Sequence, residues 1–275
     1  MSLSPILRVL STFRRKRVRA LLMGGQACIL HGAAEFTRDI DLAVASVPAN
    51  LKRLRAALAE LKAEQIYFPA LSAAALSKGH ACHFRCLAAG LHHLRIDVMS
   101  KMRGVDSFSK LWGRRVELKL PGVGRIAVLS LPDLVRAKKT QRDKDWPMIR
   151  RLIEADITRA LDAPELARVS FWLRECRTYG LLRDLARRFS ATAVRVARQR
   201  PALRAVIHGN ARRTAMLLRN EEDRERERDR RYWAPLRTEL ERWRLARHQE
   251  EDCTGSPGGQ ATRTRGRIGP CAFSS

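Results

Sequence analysis

Two aspartates one residue apart, Asp39 and Asp41, follow a glycine pair, Gly24-Gly25, with thirteen residues between Gly25 and Asp39. The alternation Asp39-Ile40-Asp41-Leu42 reads as a strand. Side chains two apart on a strand share a face, so both carboxylates project the same way, about 7 Å apart, while Ile40 and Leu42 turn into a core. Carboxylates so placed repel one another unless a cation sits between them, and hard divalent ions such as Mg²⁺ take oxygen ligands while keeping room for substrate phosphates. A third acid, Asp97, falls opposite Leu94, Ile96 and Val98 in a later alternating run. Paired with the first strand, it completes a three-carboxylate cluster. Such a cluster can hold two metal ions about 3.5–4 Å apart, one lowering the pKa of an attacking hydroxyl and one neutralising a leaving pyrophosphate. A glycine pair at a strand-to-helix turn leaves backbone N–H groups open to a phosphate.

The elements that must position these residues follow from periodicity. Residues 5–17 read as a helix with Ile6, Leu7, Leu10 and Phe13 on one side, and Val18 to Met23 as a buried strand ending at the glycine turn. Gln26 to His31 starts a second helix, and Asp39 to Val44 forms the second strand. Asn50 is a good N-cap for a helix to about Lys62 whose apolar face is Leu51, Leu54, Leu58 and Leu61. His83 to Leu87 and His93 to Met99 read as strands. Arg114 to Leu120 and Arg125 to Leu129 flank Pro121-Gly122-Val123-Gly124 and read as a hairpin. From Pro132, at a first helical turn, the pattern is helical: 143–155, 164–174, 177–189 and about 200–247, broken at Pro164, Gly180 and Pro201. Glu222–Arg226 and Glu227–Arg231 are i,i+4 pairs of the kind found on solvated helices. The expectation is an α+β protein: a mixed sheet flanked by helices over 1–155, an Arg-rich helical region over 156–250, and a disordered tail over 251–275.

Charge narrows the partners. The 275 residues carry 54 Lys+Arg against 28 Asp+Glu, a formal +26. A field of that sign attracts RNA, DNA, nucleotides or acidic surfaces. Every Lys/Arg position from Arg150 onward is an arginine, which fits a coding preference as well as phosphate contact. No apolar run is long enough to span a membrane. The basic N-terminus lacks the apolar core of a signal peptide. Six irregularly spaced cysteines do not form a disulfide framework, so a cytoplasmic location is expected. His80, Cys82, His83 and Cys86 suggest zinc, but alternation sends Cys82 and Cys86 to one face and His83 to the other; buried thiols and partly exposed imidazoles fit better. No P-loop or dinucleotide glycine motif is present.

In Gly24-Gly25-Gln26-Ala27, His31-Gly32 and Thr37-Arg38-Asp39-Ile40-Asp41, followed by Asp97, the chain resembles the nucleotidyltransferases of the polymerase-beta superfamily. The closer likeness is to minimal nucleotidyltransferases and AbiEii-type toxins. Asp133-Leu134 with Lys138, Arg142, Lys144 and Asp145 is similar to that family's later Lys…Arg-x-Lys-Asp segment. The likeness covers roughly residues 15–155. It implies a nucleotidyltransferase-like fold and transfer of a nucleoside monophosphate from an NTP to an acceptor hydroxyl, with two Mg²⁺ ions. By the same resemblance Asp39, Asp41 and Asp97 are catalytic metal ligands, and Gly24 and Gly25 hold the triphosphate with help from Thr37 or Arg38. Lys138 and Arg142, four apart on an expected helix, face the outer phosphates, and Asp145 orients one of them. RNA, tRNA first, is the favoured acceptor, with a protein or small molecule as others, and a toxin–antitoxin role is implied. The alternative is a non-catalytic nucleotide-sensing, RNA-binding or antitoxin module.

Overall fold

The computed structural model describes residues 4–33, 37–91 and 93–254. The N-terminal half runs α1 (Pro5–Arg15), β1 (Ala20–Met23), α2 (Gly24–Leu30), β2 (Ile40–Val44), α3 (Pro48–Glu60), β3 (Ala63–Gln65), α4 (Ala73–Lys78), β4 (Cys82–Cys86), β5 (Arg95–Met99), α5 (Phe108–Gly113), β6 (Val116–Leu120), β7 (Gly124–Val128) and α6 (Leu131–Ala137). Helices follow: α7 (Asp145–Ala160), α8 (Leu166–Glu175), α9 (Tyr179–Arg188), α10 (Ser190–Ala197), α11 (Pro201–Ile207) and α12 (Ala211–Thr254). The class is α+β with a helical C-terminal region, as expected. Among the described residues no helix is long and apolar enough to cross a membrane.

The seven strands form one mixed sheet in the order β3-β4-β5-β2-β1-β7-β6. β2–β5 and β1–β7 run parallel; the other neighbours are antiparallel. Ile40, Leu42, Ile96 and Val98 are all at most 2% exposed, facing the core, and the alternate residues Asp41, Arg95 and Asp97 lie on the less covered face. The apolar stripe of α3 is buried as its spacing predicts, through Leu51, Leu54, Leu58 and the following Leu61.

Several local expectations change. Asn50 is not an N-cap: α3 begins two residues earlier, after Val47. Its buried amide instead ties β1 to the end of β2, accepting from Arg19 N at 2.7 Å and donating to Arg19 O and Ala45 O. Gly24 and Gly25 lie inside the first turn of α2 rather than before it. α7 runs unbroken from Asp145 to Ala160, through residue 155. Gly180 sits within α9 without breaking it, and α10 was not anticipated. Residues 251–254 continue α12; the rest of the expected disordered tail lies outside the described residues.

The 44 residues of α12 span about 66 Å at 1.5 Å per residue. At one end α12 packs on α9 and α11. At the other, Glu239 bonds His80 at 2.8 Å and pairs with Lys78, while Trp243 packs against His80 and Phe68. This helix is therefore a strap across the molecule.

Candidate functional site

Strand register builds the acidic face. Met23 lies opposite Asp41, Asp41 beside Asp97, and Asp97 opposite His83, giving one row across β1, β2, β5 and β4. Asp39 comes just before β2, two residues from Asp41 and hence toward the same face. All three acids interact electrostatically. Burial, followed by repulsion from Asp97, with Asp39 adding to it, pushes the Asp41 carboxyl up to about 6, against partial relief from Lys138 and Arg142. Asp39 is also raised, first by burial and also by Asp97, with Arg95 and Lys144 opposing.

Asp97 differs. Burial alone would raise it, but hydrogen bonds involving His83 and Arg95 outweigh that and hold it below the ordinary carboxylate range. His83 Nδ1 lies 2.8 Å from Asp97 Oδ1, and Arg95 Nε donates to the same oxygen at 2.8 Å. Neither bond uses Oδ2. Among the described residues no group of three or more His, Cys, Asp or Glu side chains is arranged to hold a metal ion. The donor chemistry nevertheless suits one: two hard carboxylates raised by burial and mutual repulsion are what a dication stabilises. Asp97 would join them while remaining tied to His83 and Arg95.

The glycine pair is required by close approach. Gly24 has φ +64°, and a Cβ there would lie 1.7 Å from Asp41 Oδ2; one on Gly25 would lie 2.8 Å from the Thr37 side chain. The expectation of bare backbone awaiting a phosphate is thus modified, because Asp41 and Thr37 occupy the room that side chains would have filled. Thr37 is also fixed through its carbonyl, which accepts from Gln26 Nε2 at 3.1 Å. Arg38 is exposed.

Lys138 and Arg142 do converge, but not on a helix face. α6 ends at Ala137, and both residues belong to the turn leading into α7. Their meeting point is the buried Asp145, which accepts from Lys138 Nζ at 3.0 Å, Arg142 Nε at 2.9 Å and the Thr140 hydroxyl. Burial raises Asp145, but the two cations outweigh it and hold it low. The strap fixes this turn from outside. Asp229, 2% exposed, accepts from Gln141 N at 2.9 Å and from Arg103 Nε at 3.1 Å. Arg103 also bonds Glu225 and the Lys139 carbonyl, and Arg226 bonds the Gln141 carbonyl and Asp143.

The expected Glu222–Arg226 pair is therefore replaced by contacts to other elements, whereas Glu227–Arg231 forms at 2.8 Å. Asp133 serves the fold. It pairs with Arg114 at 2.6 Å and closes the start of α6 with Ser130. His31 likewise packs inside, its Nε2 2.8 Å from Leu129 O.

Sequence reading missed His83, Arg95, Arg103 and Asp229 as supports of the site. The signal for His83 was present in its alternation against Cys82 and Cys86, whose thiols are buried and pushed up to about 11. Knowing that β4 lies beside β5 turns that alternation into a contact with Asp97. No known family model matches the chain, and no curated protein matches it at a significant level.

Proposed function

We propose that this protein is a divalent-cation-dependent nucleotidyltransferase on a nucleotidyltransferase-like sheet, moving a nucleoside monophosphate from an NTP to an acceptor hydroxyl. The observation that carries the reading is the register of Asp41 beside Asp97 on parallel strands, with Asp39 one step away and Gly24 pressed against the Asp41 carboxylate. In such a transfer the acceptor oxygen bonds to the α-phosphorus and the bond to the bridging oxygen of the β-phosphate breaks. The hydroxyl proton leaves to a base, and pyrophosphate departs. Asp39, Asp41 and Asp97 would hold Mg²⁺, which when bound supplies charge neutralisation and a more acidic hydroxyl. His83 and Arg95 keep Asp97 ionised and fixed in direction. Lys138 and Arg142, oriented by Asp145, lie close enough to act electrostatically on Asp41 and would offer positive charge to the phosphates. Positioning and electrostatics of this kind supply most of the acceleration in phosphoryl-type transfers.

RNA, and tRNA first, is the proposed acceptor because of the +26 charge, and a toxin–antitoxin role follows from the resemblance. A second reading has one observation in its favour: Asp97 is already engaged by an arginine, which suits a domain that binds nucleotide or RNA without turnover. Incubation with α-labelled NTPs, Mg²⁺ and total RNA or protein tests both. Label should pass to RNA and be lost in Asp39→Ala and Asp41→Ala. Transfer that survives both substitutions removes the assigned site. Salt-sensitive RNA binding that ignores the aspartates, with no transfer, establishes the second reading.

A further inference from the structure

Behind the turn that carries Lys138 lies a cavity of about 300 Å³, with walls from α8, α10, α12 and the turn itself. Its lining holds six cationic side chains against two carboxylates, Glu221 and Glu225. Three of the six are closely paired, Lys139 with Glu175 at 2.8 Å, Arg200 with Glu221 at 3.0 Å and Arg228 with Glu225 at 2.9 Å. Arg177 is not. Arg177 has a side chain only 3% exposed, and its Nε is buried with no hydrogen-bond partner. Its other nitrogens reach Leu218 O at 3.2 Å, Glu222 at 3.5 Å and Glu221 at 3.7 Å, and the guanidinium stacks 4.7 Å from the Trp146 ring.

Arg200, also buried, is anchored by Leu173 O, Cys176 O and Glu221, so it cannot turn away from Arg177. Burial first, and then Arg200, lower the Arg177 pKa from its ordinary value against Glu221, Glu222 and Glu175; the guanidinium stays charged. Exposed Arg174, Arg224 and Arg228 complete the mouth. Lys139, whose neighbour Lys138 faces the acidic site, lines the cavity while paired with Glu175.

We propose that this arginine-lined cavity is a binding site for a small polyphosphate, such as pyrophosphate or the phosphate chain of a nucleotide, separate from the acidic face. Guanidinium forks match phosphoryl oxygens in pairs, and several together suit a multiply charged group. A monoanion could engage only one or two of these guanidinium groups, whereas a polyphosphate can reach Arg177 and the rim together. Walls drawn from four elements favour a compact ligand over a polynucleotide strand. The proposal does not depend on catalysis at Asp39 and Asp41.

Isothermal titration of the full chain with sodium pyrophosphate, at 150 mM salt and without divalent cations, tests it, with inorganic phosphate, sulfate and a short RNA as parallel arms. Saturable one-to-one binding of pyrophosphate, tighter than phosphate or sulfate, is expected. It should weaken at least tenfold in the rim variant Arg224→Gln/Arg228→Gln and stay unchanged in Asp39→Asn/Asp41→Asn. Arg177→Lys, which keeps charge but loses the fork, should weaken it severalfold; the rim variant decides if Arg177→Lys fails to fold. Absence of saturable binding overturns the proposal, as does binding that the rim variant leaves intact. RNA binding in place of pyrophosphate overturns it too.

Discussion

The acidic face and the arginine cavity lie on either side of the turn 138–144, and each holds one buried charged group that its neighbours compensate only in part. Asp41 has neighbours that repel it, and Arg177 has a buried nitrogen with no partner. Between them, on the inner side of α12, charges are matched: Arg103 with Glu225 and Asp229, and Asp145 with Lys138 and Arg142. On the proposals above, the contrast separates charges that hold the fold from charges available to a ligand. A buried ion pair with its hydrogen bonds complete fixes geometry, whereas an uncompensated buried charge costs stability and persists where something binds.

The largest effect should come at the closest contact. Gly24→Ala forces a methyl into the Asp41 carboxylate at a positive φ, so nucleotidyl transfer should fall at least a thousandfold in a label-transfer assay. A large loss of thermal stability should accompany it. If Gly24→Ala leaves activity intact, the glycine is not part of the site.

Next is Asp41→Asn. It should abolish transfer yet raise stability at pH 7 without divalent cation. The sign follows from the folded pKa of about 6, above the ordinary value of 3.8. The folded state binds this proton more readily than the unfolded chain, so stability is greatest below pH 4 for this group and falls as pH rises through 6. The change is on the order of 2–3 kcal/mol. Denaturant titrations between pH 4 and 8 should show this fall in the native chain, its absence in Asp41→Asn, and its reversal by Mg²⁺.

A smaller effect tests the matched middle. Asp229→Asn keeps the shape but removes the charge that Arg103 and the Gln141 amide lean on. The turn carrying Lys138 and Arg142 should loosen, lowering transfer roughly tenfold, mainly through KM for the NTP, with the metal dependence unchanged. An unchanged KM would mean that α12 does not position the turn. The smallest effect is expected for His83→Gln. It leaves Arg95 on Asp97, so transfer should drop only a few-fold and the pH profile at the acid limb should shift upward, because Asp97 loses one hydrogen bond that favours its ionised form.

Legibility in the sequence followed the range of the interactions involved. The faces of β2 and β5, the stripe of α3, the hairpin β6–β7 and the glycine turn were readable because alternation, helical spacing and turn residues are local. The hidden parts depend on pairing. His83 became part of the site only because β4 lies beside β5, and Arg142 met Lys138 through Asp145 rather than along a helix. Glu221, Glu225 and Asp229 read as the polar face of a solvated helix, since i,i+4 charge alternation looks the same whether water or a second element covers it.

By itself the sequence determined the presence of three carboxylates on or just beside strands, the excess of arginine and the division into a mixed α/β half and a helical half. Local stereochemistry and composition specify these without reference to distant residues. Tertiary structure alone decided which charges are neutralised: Asp97 by His83 and Arg95, Asp145 by Lys138 and Arg142, Asp229 by Arg103, with Asp41 and Arg177 only partly compensated. Electrostatic energy depends on distance and burial in three dimensions, and residues more than a hundred positions apart in the chain, such as Arg103 and Asp229, set it together.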